Sequence, residues 1–500
     1  MSLPPPQATR RGTIDHVPWA DHYHQLALRF GPRVAVSTPA GTLTYAELIA
    51  RAFGLATRLA ALGVTPGTPV ATCLHNSCEA VWAGYGTILS GAAEVPLDPN
   101  LGPDDLDWCL YLSETRIVIT DAGRHDDFAG RGLTVLAVDE IEPGSAAPGE
   151  PVPGAALGRI GFTSGTTGRP KAILTNHGSR WIANQMLRAN LPFTPGADDR
   201  VLLMTPFTHG ASLTTYAYLD HGASIELHAG VDTEVVRGLL DAKAIDAVFA
   251  PPTVLNRLCA ALEGRRYDHV KVVYTGTSTL LPPLYFRARD IFGPVVRVTY
   301  GKSEITNPIT VLPPGACDEW YAAADLSEGV CLGWPASGVE VRLAEDGEIL
   351  LRGPHMLCGM VDQGEYIDHP PDAWHDTGDV GRIDERGRLF LLGRAKDVIK
   401  TGGYKLYPEE VERAFAAEVA VVGVPSEHWG EVVVAVAEGR DWDGSGEADS
   451  LTRYKRPRAY LGIDVFPRNR QGKLQRREVR EHIEATYRLI DGPYPTFERR

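Results

Sequence analysis

The stretch Thr163-Ser164-Gly165-Thr166-Thr167-Gly168-Arg169-Pro170-Lys171 packs four hydroxyls and two glycines into six residues, ahead of Arg, Pro and Lys. Such a loop offers many N–H and O–H donors to one anion, and its glycines let the main chain come close. Lys171 adds a compact point charge suited to a phosphate. The pattern is not the phosphate loop of NTPases, because no Gly-x-x-x-x-Gly-Lys-Ser/Thr is present and Ala172 follows the lysine. On composition alone the cluster reads as a flexible turn. Five further groups follow toward the C-terminus. Tyr300-Gly301-Lys302-Ser303-Glu304 follows an apolar run and joins a ring face to a carboxylate; the first suits a nucleobase and the second a hard divalent cation. Trp374-His375-Asp376-Thr377-Gly378-Asp379 ends in a carboxylate, and Gly393-Arg394-Ala395-Lys396-Asp397 supplies cations fifteen or so residues on. Thr401-Gly402-Gly403-Tyr404-Lys405 places paired glycines where a thin chain could slide past backbone. Pro467-Arg468-Asn469-Arg470-Gln471-Gly472-Lys473-Leu474-Gln475-Arg476 carries a late Gly-Lys pair. Taken singly, each of these is an ordinary turn, a solvated ion pair or an exposed lysine.

The elements that must position these groups read as α/β. Short β-rich runs at Val70–Leu74, 116–120, 201–204, 247–250, 271–274 and 295–298 alternate with helical stretches, which predicts α/β layers with much parallel sheet. A helix is expected from Tyr45 to Leu62, opened by a Thr44/Glu47 capping box and closed by Gly63, with Leu48, Ala52, Leu55, Leu59 and Leu62 on one face. Residues 1–20 read as a Pro-rich, weakly ordered lead-in, and 139–156 as a surface connection before the hydroxyl-rich loop. After Leu343 the texture turns to short, turn-punctuated β segments, a smaller β-rich lobe. A boundary is expected near Gly393–Asp397, giving an N-terminal domain over 1–396 and a small α+β domain over 397–500.

Five hundred residues allow one large multi-lobed domain plus a smaller one. A net charge of −14 argues against nucleic-acid or anionic-membrane partners. Seven scattered cysteines, none at metal-ligand spacing, suit reduced thiols and a cytoplasmic setting. No apolar leader or 18-residue apolar run is present, so secretion and membrane spanning are not expected.

In their order, these groups resemble the adenylate-forming family of acyl- and aryl-CoA ligases, peptide-synthetase adenylation domains and firefly luciferase. The resemblance covers about residues 20 to 480 and implies a large domain followed by a mobile small one. It implies that Thr163, Ser164, Gly165, Thr166, Thr167, Gly168 and Lys171 hold the phosphates of ATP. Tyr300 and Gly301 would meet adenine, Ser303 a phosphate, and Glu304 the Mg²⁺. Asp379 and Arg394 would hold the ribose, with Asp397 as hinge. Gly403 would line the path of a pantetheine arm from CoA or a carrier protein. Lys473 would bridge the attacking carboxylate and the α-phosphate.

Two stretches depart from the family pattern. Pro206-Phe207-Thr208-His209-Gly210 lacks the aspartate that pairs an α-ammonium, which disfavours an amino-acid substrate and leaves His209 at the mouth of the acid pocket. Gly276-Thr277-Ser278-Thr279-Leu280 replaces a Gly-Gly-Ala-Pro-Leu, and Thr277 and Ser278 there point to a small or flat polar acid. The segment from Val436 to Tyr454 is shorter than in relatives, which keeps a nitrogen acceptor, or nitrite as the activated oxyanion, in play. A hydrolase is disfavoured because no Gly-x-Ser-x-Gly exists, and a non-catalytic regulator because every candidate position is filled. The expected reaction is acyl-AMP formation from ATP and a small or aromatic acid, then transfer to a thiol.

Overall fold

The computed structural model describes residues 14–164, 169–323, 329–415, 417–439, 442–468 and 474–500, without the side chains of Ser164, His209 and Ser450. Its organisation follows from one pair of helices. Thr44 opens the helix Tyr45–Ala61 as a reciprocal cap: its hydroxyl accepts the Glu47 N–H at 3.3 Å while the Glu47 carboxylate accepts the Thr44 N–H at 2.8 Å. Leu48, Ala52, Leu55 and Leu59 are fully buried along one stripe. The helix Cys78–Leu89 lies against it, and Gly86 permits the approach. A Cβ at Gly86 would stand 2.8 Å from Leu55 and 2.9 Å from the Ala52 carbonyl, so alanine there would force the helices apart.

These helices share one core with strands of two sheets, among them Val36, Val201 and Ile225 on one side and Val70 and Ile117 on the other. The first sheet runs Val296–Thr299, Val272–Gly276, Ala247–Phe249, Arg200–Leu203, Ser224–Leu227, Val34–Thr38 and Gly41–Thr44. All its neighbours are parallel except the last pair. The second sheet has eight strands and a parallel centre at Ala93–Pro96, Pro69–Cys73 and Ile117–Thr120. It continues through the antiparallel pair Leu157–Ser164 and Pro170–Asn176. The α/β layering thus stands as expected.

Some boundaries differ. The lead-in is ordered earlier: His16–Val17 pairs with Val152–Pro153, and a helix starts at Trp19. The expected surface connection over 139–156 is partly internal, with Ile141, Val152 and Ala156 buried. Sparse apolar residues hid this in the sequence. The six-stranded antiparallel sheet begins at Thr310 rather than after Leu343. The hairpin Gly359–Asp362 and Glu365–Asp368 leaves that texture altogether and extends the eight-stranded sheet beside Pro170–Asn176. From Ile399 onward the chain builds another sheet, Tyr404–Leu406, Ile399–Thr401, Gly430–Glu438 and Val419–Ser426, with Ala459–Ile463 parallel to Gly430–Glu438. A terminal hairpin, Tyr487–Ile490 with Thr496–Arg499, closes the chain. Among the described residues no helix is long and apolar enough to cross a membrane.

Candidate active site

Three of the sequence groups leave the same edge of the parallel sheet. Arg200–Leu203 runs into Pro206–Gly210, Val272–Gly276 into Thr277–Leu280, and Val296–Thr299 into Tyr300–Glu304. The last two strands are adjacent and register Gly276 opposite Thr299. Loops beyond the carboxyl ends of parallel strands form the crevice in which open α/β sheets bind ligands. Thr277 stands out there: it is exposed and has φ +70°, a left-handed backbone that a β-branched residue rarely adopts.

Opposite this crevice, the six-stranded sheet presents Asp379 and Arg394, which are register partners on antiparallel strands. Asp379 is 3% exposed and collects donors from three directions. Arg394 Nε lies 2.8 Å from Oδ1, Lys302 Nζ 3.3 Å from Oδ2, and the Tyr300 hydroxyl donates to Oδ2. Lys302 also donates to the Thr377 carbonyl at 2.6 Å. Burial and then the Asp379 charge hold the Tyr300 phenol well above its ordinary range. The sequence groups 300–304, 374–379 and 393–397 therefore meet at one carboxylate. The ring of Tyr300, expected against adenine, is tied through its hydroxyl to the expected ribose acid. Glu304 is near enough to act on His375, whose imidazole is lowered by burial and raised by that carboxylate. Ser303 is exposed, and Gly301 packs against the Asn307 amide.

The hydroxyl-rich loop tips the hairpin Leu157–Ser164 and Pro170–Asn176, in which Lys171 pairs with Thr163. Ser164 pairs through its backbone with Pro170. Gly165, Thr166, Thr167 and Gly168 lie outside the described residues, as does Lys473. Lys171, expected beside the phosphates, forms an ion pair with Asp362 at 2.5 Å. The loop's C-terminal shoulder is pinned by Trp108, whose indole N–H donates to the Pro170 carbonyl at 2.9 Å beneath the Arg169 guanidinium. His209 lies within the single π-helical turn Phe207–Ala211, and its side chain is outside the description. Asn76 holds that turn by accepting the Phe207 N–H at 2.7 Å and donating to the Thr205 carbonyl at 2.8 Å. Arg159 donates to the Thr208 carbonyl at 2.9 Å and to Glu94, which also binds Arg180. A narrow cavity nearby is lined by Trp19, Tyr23, Arg180, Tyr216, Asp220 and Asn307.

The profile of the AMP-binding enzyme family matches residues 24–360, more than half of the chain. The chain belongs to this family. Its curated relatives include a 3-[(3aS,4S,7aS)-7a-methyl-1,5-dioxo-octahydro-1H-inden-4-yl]propanoyl:CoA ligase of Mycobacterium tuberculosis, 31% identical over 488 residues that cover 88% of this chain and 93% of the relative. A feruloyl-CoA synthase of Amycolatopsis is 30% identical across 91% of this chain and 97% of that one. Among solved structures, o-succinylbenzoate CoA synthetase of Bacillus subtilis with its acyl-adenylate superposes with TM-score 0.78 at 26% identity, covering 93% and 98% of the two chains. ATP-bound MatB from Rhodopseudomonas palustris gives 0.79 at 26% identity, covering 93% and 99%. The adenylate-forming resemblance and the layered α/β fold both hold.

In this family member, Lys302 was the residue that sequence reasoning passed over, at the unconstrained position of the Tyr-Gly-x-Ser-Glu group. Asp362, Trp108 and Asn76 carried no local signal, since each acts on a partner far away in the chain. Gly403 sits in the turn between Ile399–Thr401 and Tyr404–Leu406 with φ +85°. Asp397, the expected hinge, lies 3.5 Å from Arg476 Nη1; Arg476 also binds Glu409 at 2.9 Å and Glu412 at 2.6 Å. Arg413 reaches back to the Leu391 and Leu392 carbonyls, joining the C-terminal sheet to the strand that ends in Arg394.

Proposed function

We propose that this protein activates a ring-bearing carboxylic acid with ATP and passes the acyl group to the thiol of CoA. The observation that carries this reading is the meeting of the strand-end loops with the Asp379–Arg394 pair, a crevice with a buried carboxylate, two cations and a phenol on one wall. In the first step a substrate carboxylate oxygen attacks the α-phosphorus, and the bond to the leaving pyrophosphate breaks. Asp379 accepts the ribose hydroxyls, Arg394 and Lys302 hold that carboxylate in place, and the loop 163–171 surrounds the phosphates with donors. Lys473 neutralises charge that grows on the transferring group. A preorganised donor of this kind contributes roughly 3–4 kcal/mol.

Magnesium fits the residues present. No group of three His, Cys, Asp or Glu stands ready to cage a metal among the described residues, and Mg²⁺ in nucleotide sites needs only one or two carboxylates besides phosphate and water oxygens. Glu304 supplies one beside the nucleotide-facing loop. Bound there, the ion would offset phosphate charge. In the second step the thiol sulfur attacks the acyl carbon and AMP leaves. The division into residues 1–396 and 397–500, with Asp397 as the joint between them, allows Lys473 to withdraw while Gly403 approaches. The two curated relatives and the Bacillus subtilis synthetase described above are named for ring-bearing acids, which supports such an acid here. A phosphopantetheinylated carrier protein is the other thiol source consistent with Gly403.

ATP–pyrophosphate exchange across a panel of acids tests the first step, and AMP release with CoA, a carrier protein or an aryl amine tests the second. Aryl or polycyclic acids with CoA should turn over. Lys473→Ala should lower exchange by about 10²–10³-fold while ATP still binds. Wild-type exchange in that variant removes the lysine from the reaction. AMP release that needs an amine and ignores every thiol overturns the acceptor.

A further inference from the structure

The C-terminal hairpin ends far along the sequence from the Gly402–Gly403 turn, yet its own turn is tied to the support of those glycines. Asp491 caps the loop before Trp429: its carboxylate accepts the Ser426 hydroxyl at 2.6 Å, the Glu427 N–H at 2.6 Å and the His428 N–H at 3.2 Å. The Trp429 N–H is then held by the Ser426 hydroxyl at 2.9 Å, and the indole N–H donates to the Gly492 carbonyl at 2.9 Å. The indole is therefore fixed at both its backbone and its edge by residues 426 and 491–492.

Its faces complete the picture. The Arg458 guanidinium sits 3.5 Å from the ring centroid, and Gly402 packs against the indole. A Cβ on Gly402 would stand 3.1 Å from two ring carbons. The Gly402 N–H donates to the Trp429 carbonyl at 2.8 Å. Gly402 and Gly403 have φ +56° and +85°, a turn for which glycine is the low-cost residue. Tyr487, Leu489 and Phe497 pack the hairpin onto the core of Val432, Val434 and Ile483, so the strap is anchored at its own base.

We propose that the hairpin 487–499 is a strap that sets Trp429 as the floor of the Gly402–Gly403 turn. Asp491 and Trp429 then act as positioning residues for thiol transfer and take no part in adenylation. This rests on the reading of Gly403 as part of the thiol path. A misplaced approach path slows a step without touching its chemistry, since an error near 1 Å costs up to about 10²-fold.

The test uses the full chain as wild type, Asp491→Ala and Trp429→Phe. Hydrogen exchange over residues 399–406 reads the turn, ATP–pyrophosphate exchange reads the first half-reaction, and single-turnover thioester formation reads the second. Both variants should exchange the Gly402 amide about tenfold faster. Their pyrophosphate exchange should stay within about twofold of wild type, with thioester formation slowed about tenfold and the KM for CoA raised. Unchanged hydrogen exchange overturns the strap. A loosened turn with unchanged thioester formation overturns its role in transfer, and so does an equal loss of both half-reactions. A wild-type protein that makes adenylate but no thioester sinks the thiol reading instead, while the hydrogen exchange still decides whether the strap holds the turn.

Discussion

Two polar clusters of this chain have inverted charge ratios. At Asp379 one carboxylate gathers Arg394, Lys302 and the Tyr300 hydroxyl. At Arg476 one guanidinium gathers Asp397, Glu409 and Glu412. The first arrangement leaves donors and positive charge in reserve, which a ribose and phosphates can take up. The second leaves negative charge in excess even with the Arg413 guanidinium beside Glu409 and Glu412, which favours a proton on the cluster. Burial pushes the Glu409 carboxyl up to about 7 against the pull of Arg476, and Glu412 pushes it the same way. A donor-rich pocket is suited to binding an anion; an acid-rich cluster is suited to holding a cation firmly and to sensing pH.

Breaking the Arg476 cluster should have the largest effect. Arg476→Ala strands three carboxylates and should lower unfolding free energy by about 3–5 kcal/mol in urea titration. A loss under 1 kcal/mol, the range of exposed pairs, would mean the cluster is a surface network. Breaking the pocket comes next. Asp379→Ala should weaken ATP binding by about 10–100-fold in calorimetry, the worth of hydrogen bonds to a charged group. Equal ATP affinity would remove Asp379 from the ribose role.

Glu409→Gln separates the two clusters by pH. The folded-state value lies above the ordinary 4.5, so the native state holds the extra proton between about 4.5 and 7. Its stabilisation is complete below 4.5 and is lost as pH rises toward 7. The variant should flatten that fall, on the order of 3 kcal/mol, while ATP affinity keeps its wild-type profile. Melting curves of both proteins from pH 4 to 8 check it, and superimposable profiles would count against a raised Glu409. The smallest effect lies in the crevice opposite Asp379. Thr277→Gly removes a β-branched residue at φ +70° and should raise stability by about 0.5–1 kcal/mol. It should also widen the range of acids that support pyrophosphate exchange, and an unchanged acid profile would end the specificity reading of Thr277.

Much of the layering was legible because local chemistry and tertiary context agree. The Thr44/Glu47 cap starts its helix where the spacing predicts, and the six β-rich runs fall on strands within a residue or two. The sequence was less informative where an element finds its partner far away. The hairpin Gly359–Asp362 and Glu365–Asp368 reads like its antiparallel neighbours, but pairs with Pro170–Asn176 and brings Asp362 to Lys171. Lys302 stood within a quoted group and was passed over, because only the fold sets its ammonium against Asp379. Trp108, Asn76 and Asp491 each act through hydrogen bonds across 60 residues or more, and no periodicity encodes such a bond.

By itself the sequence determined the reaction class, because its groups stand in the order that the adenylate-forming family shares. It also determined the alternation of strands and helices, because apolar spacing of two or 3.6 is a local property of the chain. Tertiary structure decided which charges neutralise which. Strand register put Arg394 against Asp379, and helix placement put one arginine among three acids. Electrostatic energy depends on distance and burial, and neither exists until the chain has folded.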